Sequence, residues 1–160
     1  MATLHDDNCI FCKIVRKEAP SVPIYEDNHV IAFMDTEHCM IFFSTRPVTD
    51  IAPVTKGHTL VIPKHHYATL DAMPAADMAE LGRVLPRIAK AVTSGCDTKD
   101  YNIMQNNGKR AGQVVFHVHY HIIPRYPTEN KLLGKQRIIP RLKLTKEEFM
   151  AMQSSIKAKL

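Results

Sequence analysis

Long apolar runs are missing from this chain of 160 residues. Each hydrophobic stretch is soon broken by charge or proline, so none approaches the ~20 residues a membrane-spanning helix needs. The opening Met1–Asp7 stretch has neither a basic flank nor an apolar stretch of the kind a secretory signal carries, which predicts a cytoplasmic protein, with the nucleus left open. Basic stretches are equally scarce: no run of Lys or Arg exceeds two, and the 21 basic residues are interspersed with 16 acidic ones. A net charge of +5 in that pattern suits phosphate-bearing ligands but does not describe a dedicated nucleic-acid binder. Cysteine is sparse too. Four are present, and the tight pair Cys9 and Cys12 reads as reduced thiols or metal ligands, because a chain long enough to build a core has no need of a disulfide framework. There is no internal repeat, no low-complexity run and no composition break, so residues 1–160 are expected to form one domain.

Punctuation by proline and glycine organises the rest. Short strands are predicted near Ile24-Tyr25 and from Val30 to Phe33, with Asp27-Asn28 as the hairpin tip between them. Residues 58–62 follow Gly57 and precede Pro63, which bounds a buried strand. Pro74 opens a helix whose apolar positions Met78, Leu81, Leu85, Ile88 and Val92 recur at three and four, ending near Gly95. Pro86 is expected to kink or split it. Residues 101–105 read as a strand, 106–112 as a glycine-containing loop and 114–123 as a further strand stopping at Pro124. Thr145 and Glu148 have capping-box spacing ahead of Phe149, Met152 and Ile156, so a helix closes the chain. The order predicts an α+β fold with an antiparallel sheet of about five strands and two or three helices.

Residues 117–123 are His-Val-His-Tyr-His-Ile-Ile. A strand turns successive side chains to opposite faces and rises about 3.3 Å per residue, so His117, His119 and His121 would line one face about 6.6 Å apart, with Val118, Tyr120 and Ile122 packed behind them. Imidazoles titrate near neutral pH and can serve as nucleophile, acid or hydrogen-bond donor. The outer pair would lie about 13 Å apart in an extended strand, too far for all three rings to share one metal.

These residues resemble the histidine triad pattern. Gly112-Gln113-Val114-Val115-Phe116 precedes it, and Lys56-Gly57-His58 with its strand to Lys64 and Cys9-Ile10-Phe11-Cys12 come earlier, the order found in the Hint branch of the histidine triad superfamily. The resemblance covers about residues 8–126, leaving a C-terminal extension over about 127–160. It implies a homodimer that hydrolyses nucleoside 5′-phosphoramidates such as AMP joined to an amine, with His119 as nucleophile and a nucleotidyl-histidine intermediate. It further implies that His121 contacts the phosphate, that His58 is a fourth active-site histidine and that Gln113, with the Gly112 backbone, meets phosphate or leaving group. Phe33, Asp35 and Asn106 would contact the nucleotide. The purine nucleotide is the implied partner, and no organic cofactor is expected.

In relatives carrying the same cysteine pair, two histidines complete a structural zinc site, which here implies Cys9, Cys12, His66 and His117. Two departures stand out. An insertion of about residues 36–50 separates Phe33-Met34-Asp35 from Asp50-Ile51-Ala52-Pro53, so either aspartate matches the family's ribose contact, with Asp35 favoured for the strand behind it. Val114 replaces a serine common in Hint proteins, which predicts a weaker leaving-group contact. Two rivals use the same residues: a dinucleoside polyphosphate hydrolase of the Fhit type, and a nucleotide-binding scaffold with vestigial activity.

Overall fold

Asp27 closes the first turn of the sheet and shows why the strands begin where they do. Its Oδ1 accepts hydrogen bonds from the His29 and Val30 amides, both at 2.8 Å, and its own amide donates to the Val30 carbonyl at 3.0 Å. An Asx-type turn of this kind replaces backbone pairing at the tip. The computed structural model describes residues 5–35, 55–127 and 144–160. The expected 36–50 insertion, Asp50 and the basic stretch 130–143 fall outside the described residues or largely so.

The hairpin joins β1 (Val22–Glu26) to β2 (Val30–Met34), and β3 (Thr59–Pro63), β4 (Asp100–Met104) and β5 (Tyr120–Arg125) complete an antiparallel sheet in the order β1-β2-β3-β5-β4. Three α-helices accompany it: α1 (Ile10–Val15), α2 (Ala75–Gly95) and α3 (Lys146–Lys157). The α+β architecture with five antiparallel strands is therefore as the sequence predicted. Short 3₁₀ turns occupy Leu70–Ala72 and Lys109–Ala111.

Strands buried on both faces separate two apolar layers. Val30, Ala32 and Met34 of β2 join Val61 and Ile122 against Leu81, Val84, Ile88 and Val92 of α2 and Ile156 of α3. The alternate residues Ile31 and Phe33, with Leu60 and Ile62 of β3, pack on the other side against Phe11, Cys12 and Ile14 of α1. Pleat alternation makes this division obligatory. The layer under α1 is the smaller, and its open end is where the histidines gather.

Pro86 neither splits nor ends α2, which runs unbroken from Ala75 to Gly95. Pro86 is exposed, so the Gly82 carbonyl that loses its helical donor lies on the solvent side, where water satisfies it. The C-terminal capping box forms as expected, with Glu148 N on Thr145 Oγ1 at 3.2 Å and Thr145 N on Glu148 Oε2 at 2.8 Å. α3 covers the β1 edge, where Gln153 Nε2 donates to the Pro23 carbonyl at 2.7 Å. Edge strand β4 keeps Tyr101 and Ile103 exposed. No helix among the described residues is long and apolar enough to cross a membrane.

Helices α2 and α3 touch through a glycine. A Cβ on Gly95 would stand 2.7 Å from Ile156 Cα, and Ser155 Oγ already donates to the Gly95 carbonyl at 2.9 Å. Helix propensity alone would reward alanine here by up to about 1 kcal/mol, whereas crowding against backbone costs about 1–3 kcal/mol. Gly95→Ala is thus expected to lower stability by about 1–2 kcal/mol in urea unfolding; a gain would show that the helices separate freely.

Candidate active site

The histidine segment is bent where the sequence predicted a straight strand from 114 to 123. Only His121 of the three lies within β5, which begins at Tyr120 and continues through Pro124 to Arg125. The ladder from β3 pairs Thr59, Leu60 and Val61 with Ile122, His121 and Tyr120 and goes no further. Ahead of it the partner strand reaches Pro63, which has no N–H to offer. Beyond it β5 has only β4 beside it, with Pro124 paired to Tyr101, so a missing donor is tolerated. Residues 117–118 are tied elsewhere: His117 N donates to Val115 O at 2.9 Å and Val118 N to Tyr67 O at 2.7 Å. The predicted division of faces survives the bend. Val118, Tyr120 and Ile122 join the layer under α2, while the imidazoles lie on the α1 side.

The bend turns the His117 carbonyl onto its neighbour's ring. His119 Nδ1 lies 2.6 Å from His117 O, and a carbonyl accepts only, so Nδ1 carries the hydrogen and the neutral ring leaves Nε2 with its lone pair. His119 is buried, its ring meets Phe11 edge-on at 5.3 Å between centroids, and burial lowers its pKa from the ordinary value. A bare imidazole nitrogen in a dry wall can attack an electrophile without first losing a proton.

A second set of contacts runs beside it. Asp35, at the end of β2, places Oδ2 3.0 Å from His58 Nδ1, and His58 Nε2 lies 2.9 Å from His121 Nδ1. All of this sits on the α1 side of the sheet: Leu60, two residues after His58, belongs to that layer and pairs directly with His121. The His58 and His121 rings stack at 5.1 Å, and those of His119 and His121 meet at 4.9 Å. Burial, followed by the adjacent charge of His58, holds His121 down to about 3, so this ring is neutral at physiological pH.

Four metal-binding side chains converge on the far side of His117. The donor atoms of Cys9, Cys12, His66 and His117 all lie within 4.8 Å of one another. Cys9 caps the N-terminus of α1 and Cys12 falls in its first turn, so one short helix presents both sulfurs. Cys9 Sγ and Cys12 Sγ lie 3.6 and 3.7 Å from His117 Nδ1, and Cys12 Sγ lies 3.3 Å from His66 Nδ1. Zn–S bonds of about 2.3 Å and Zn–N bonds of about 2.0–2.1 Å give a tetrahedron S···N edges of about 3.5 Å, so the set fits. His117 Nε2 donates to the Pro63 carbonyl at 2.9 Å, which frees Nδ1 to ligate. Burial keeps that ring neutral, at about 4, and pushes the Cys9 thiol up to about 12, so a cation binding here must displace the proton from that sulfur.

The remaining expected residues lie near the histidines. Gln113 is buried with its amide bound to protein at both ends: Oε1 accepts from Gly108 N at 2.7 Å, and Nε2 donates to Ala68 O at 2.6 Å and Val115 O at 3.1 Å. It holds the loop in shape where a ligand contact was expected of the side chain. Gly112 adopts φ 86°, a left-handed turn, and a Cβ there would stand 3.8 Å from Asn106 Nδ2, so loop and asparagine are brought together. Asn106 follows two residues after Met104, the β4 partner of His121. Phe33 is buried against Phe11 at 5.7 Å between centroids.

Sequence reasoning passed over Phe11, Tyr67 and Asp77. Phe11 packs on both His117 and His119, and its place between the two cysteines was the available signal. Tyr67 donates its hydroxyl to Asp77 near the start of α2 and lends its carbonyl to Val118, bracing the bend. Nothing in the local sequence marks that pairing. His5, His29 and His65 are exposed and stand apart from these clusters, while His38 lies outside the described residues.

The HIT domain family model matches residues 36–128. The chain belongs to this family of histidine triad proteins. Within it, the chain falls in the Hint branch: it is 38% identical over 153 residues to adenosine 5′-monophosphoramidase of Schizosaccharomyces pombe, covering 96% of this chain and 98% of that one. It is also 42% identical over 120 residues to the protein hit of Bacillus subtilis, covering 75% of this chain and 72% of the relative. The crystal structure of a zinc-bound histidine triad family protein from Mycobacterium smegmatis superposes with a TM-score of 0.68 at 34% identity, covering 94% of each chain.

Proposed function

We propose that this chain hydrolyses nucleoside 5′-phosphoramidates of the AMP–amine kind through a nucleotidyl intermediate on His119. The observation that carries this reading is the 2.6 Å contact between His119 Nδ1 and the His117 carbonyl, which leaves Nε2 unprotonated beside a second, neutral imidazole. Nε2 attacks the α-phosphorus, the P–N bond to the amine breaks, and the amine leaves with a proton from a neighbouring donor. Water then attacks the phosphorus and returns a proton to that donor, the P–Nε2 bond breaks, and AMP is released with His119 restored. The name of the S. pombe relative supports this substrate class. His121 and His58 serve the phosphate, Phe33, Asp35, Asn106 and Gly112 form the nucleoside side, and Gln113 acts by shaping the loop between them.

His119→Ala is expected to lower phosphoramidate turnover by about four orders of magnitude or more while leaving the melting temperature near that of the parent. Substantial hydrolysis by the variant removes the mechanism.

Zinc in this reading is structural. Cys9, Cys12, His66 and His117 close a four-ligand shell with no open position, so the ion would order α1 and the bend and take no part in the reaction. Protein purified without added metal should contain close to one zinc per chain, and Cys12→Ser should lose it; less than about a tenth of an equivalent in the parent counts against the site.

The homodimer belongs to the same reading. The outer edge of β4, with Tyr101 and Ile103 exposed at 45% and 43%, supports it as an apolar edge that no other strand among the described residues covers. Sedimentation at twice the chain mass is expected, and a monomer at micromolar concentration opposes it.

A further inference from the structure

Beyond the nucleophile, the described residues contain one continuous run of buried polar contacts that the proposed reaction leaves partly unexplained. It passes from the carboxylate of Asp35 through His58 to His121, at 3.0 and 2.9 Å. Asp35 and His58 are 5% and 3% exposed, so both are largely shielded from water and the contact between them is electrostatically strong.

Hydrogen counting restricts the possibilities to two. An ionised carboxylate accepts only, so His58 Nδ1 carries a hydrogen toward Asp35. Between His58 Nε2 and His121 Nδ1 there is room for one hydrogen. If it sits on His121, both rings are neutral, His121 Nε2 is bare, and this ring offers the phosphate a lone pair. If it sits on His58, that ring is an imidazolium paired with the carboxylate. His121 Nδ1 then accepts, and the neutral His121 ring presents N–H at Nε2, beside His119. The buried negative charge of Asp35 favours the second arrangement, because a full positive charge on His58 at 3.0 Å offsets a buried carboxylate better than a neutral N–H does.

We propose that Asp35 is a positioning residue which, acting through His58, keeps the hydrogen of His121 on Nε2 so that this ring donates to the phosphate His119 attacks. The proposal deepens the reading of the chain as a phosphoramidate hydrolase and rests on it for the identity of the acceptor. A donor there stabilises charge gathering on the non-bridging oxygens as the nucleophile closes in, whereas a lone pair would repel it. Burial of His121, which resists protonation of that ring, agrees with a ring that donates while uncharged. The arrangement also gives Asp35 a duty distinct from holding a ribose. A ribose contact affects binding, while a charge acting through two rings affects the transition state.

Among the described residues, the groups facing the pair include Asp35 from the end of β2, His58 ahead of β3 and His119 ahead of β5. Replacing the carboxylate by an amide removes the charge that favours the extra hydrogen on His58. The test combines nitrogen NMR of the imidazoles with steady-state kinetics on an AMP–amine phosphoramidate, for the full chain and Asp35→Asn. In the parent at neutral pH, His121 should show a protonated Nε2 and an accepting Nδ1. In Asp35→Asn the hydrogen should move to Nδ1, and kcat should fall by about tenfold to a hundredfold in addition to any rise in KM. A parent whose His121 is protonated at Nδ1, or a variant whose only change is a raised KM, overturns the proposal. The nitrogen spectrum of the parent needs neither turnover nor a variant. If no phosphoramidate is hydrolysed, the parent reading fails on its own and the spectrum still decides where the hydrogen lies.

Discussion

One hydrogen bond, from His119 Nδ1 to the carbonyl two residues earlier, sets which nitrogen of that ring is left bare. It accompanies the bend of the backbone at 117–118, and His117 sits at its centre. That residue directs its carbonyl to the His119 ring, its Nε2 to Pro63 and its Nδ1 to the cysteine sulfurs. One residue therefore joins the cysteine–histidine cluster to the His119 ring. An ion in the cluster would stiffen the segment that orients His119 without approaching the substrate, which is how outer contacts tune a site generally.

The sheet explains why such a site can be built in a small protein. β2 and β3 are buried on both faces, and the larger apolar layer under α2 and α3 supports the strands independently of the histidine side. The thinner layer under α1 is then free to hold polar groups at its end, provided each finds a partner. Asp35, His58, His117 and His119 all do, through contacts within the layer. Phe11 packs against the rings of both His117 and His119 and excludes water from that side of them.

Much of this was legible in the residues. Alternation of imidazole with apolar side chains identified the two faces, the Asp27 tip and the Thr145 capping box marked ends of elements, and Cys9, Cys12, His66 and His117 lie together, in a group that could hold a metal. What could not be read were features set by distant partners. Nothing near residue 117 announces that Tyr67 will capture Val118 and end the strand early. Gln113 matches a family contact, yet its orientation depends on Ala68, 45 positions away. The helix that presents the cysteines spans only Ile10–Val15, too short for periodicity to register. Pro86 does not split α2, because its cost depends on which face of the helix it occupies, a property of packing rather than of the residue.

The account stands most directly on the identity of the nitrogen that bonds to phosphorus. Stopping the chain during turnover of an AMP–amine phosphoramidate and mapping the adenylyl group by tandem mass spectrometry reads this without reference to rates. The expected result is one AMP moiety per chain, on His119. An adduct on His58 or His121, or a chain that turns over with none, would contradict it.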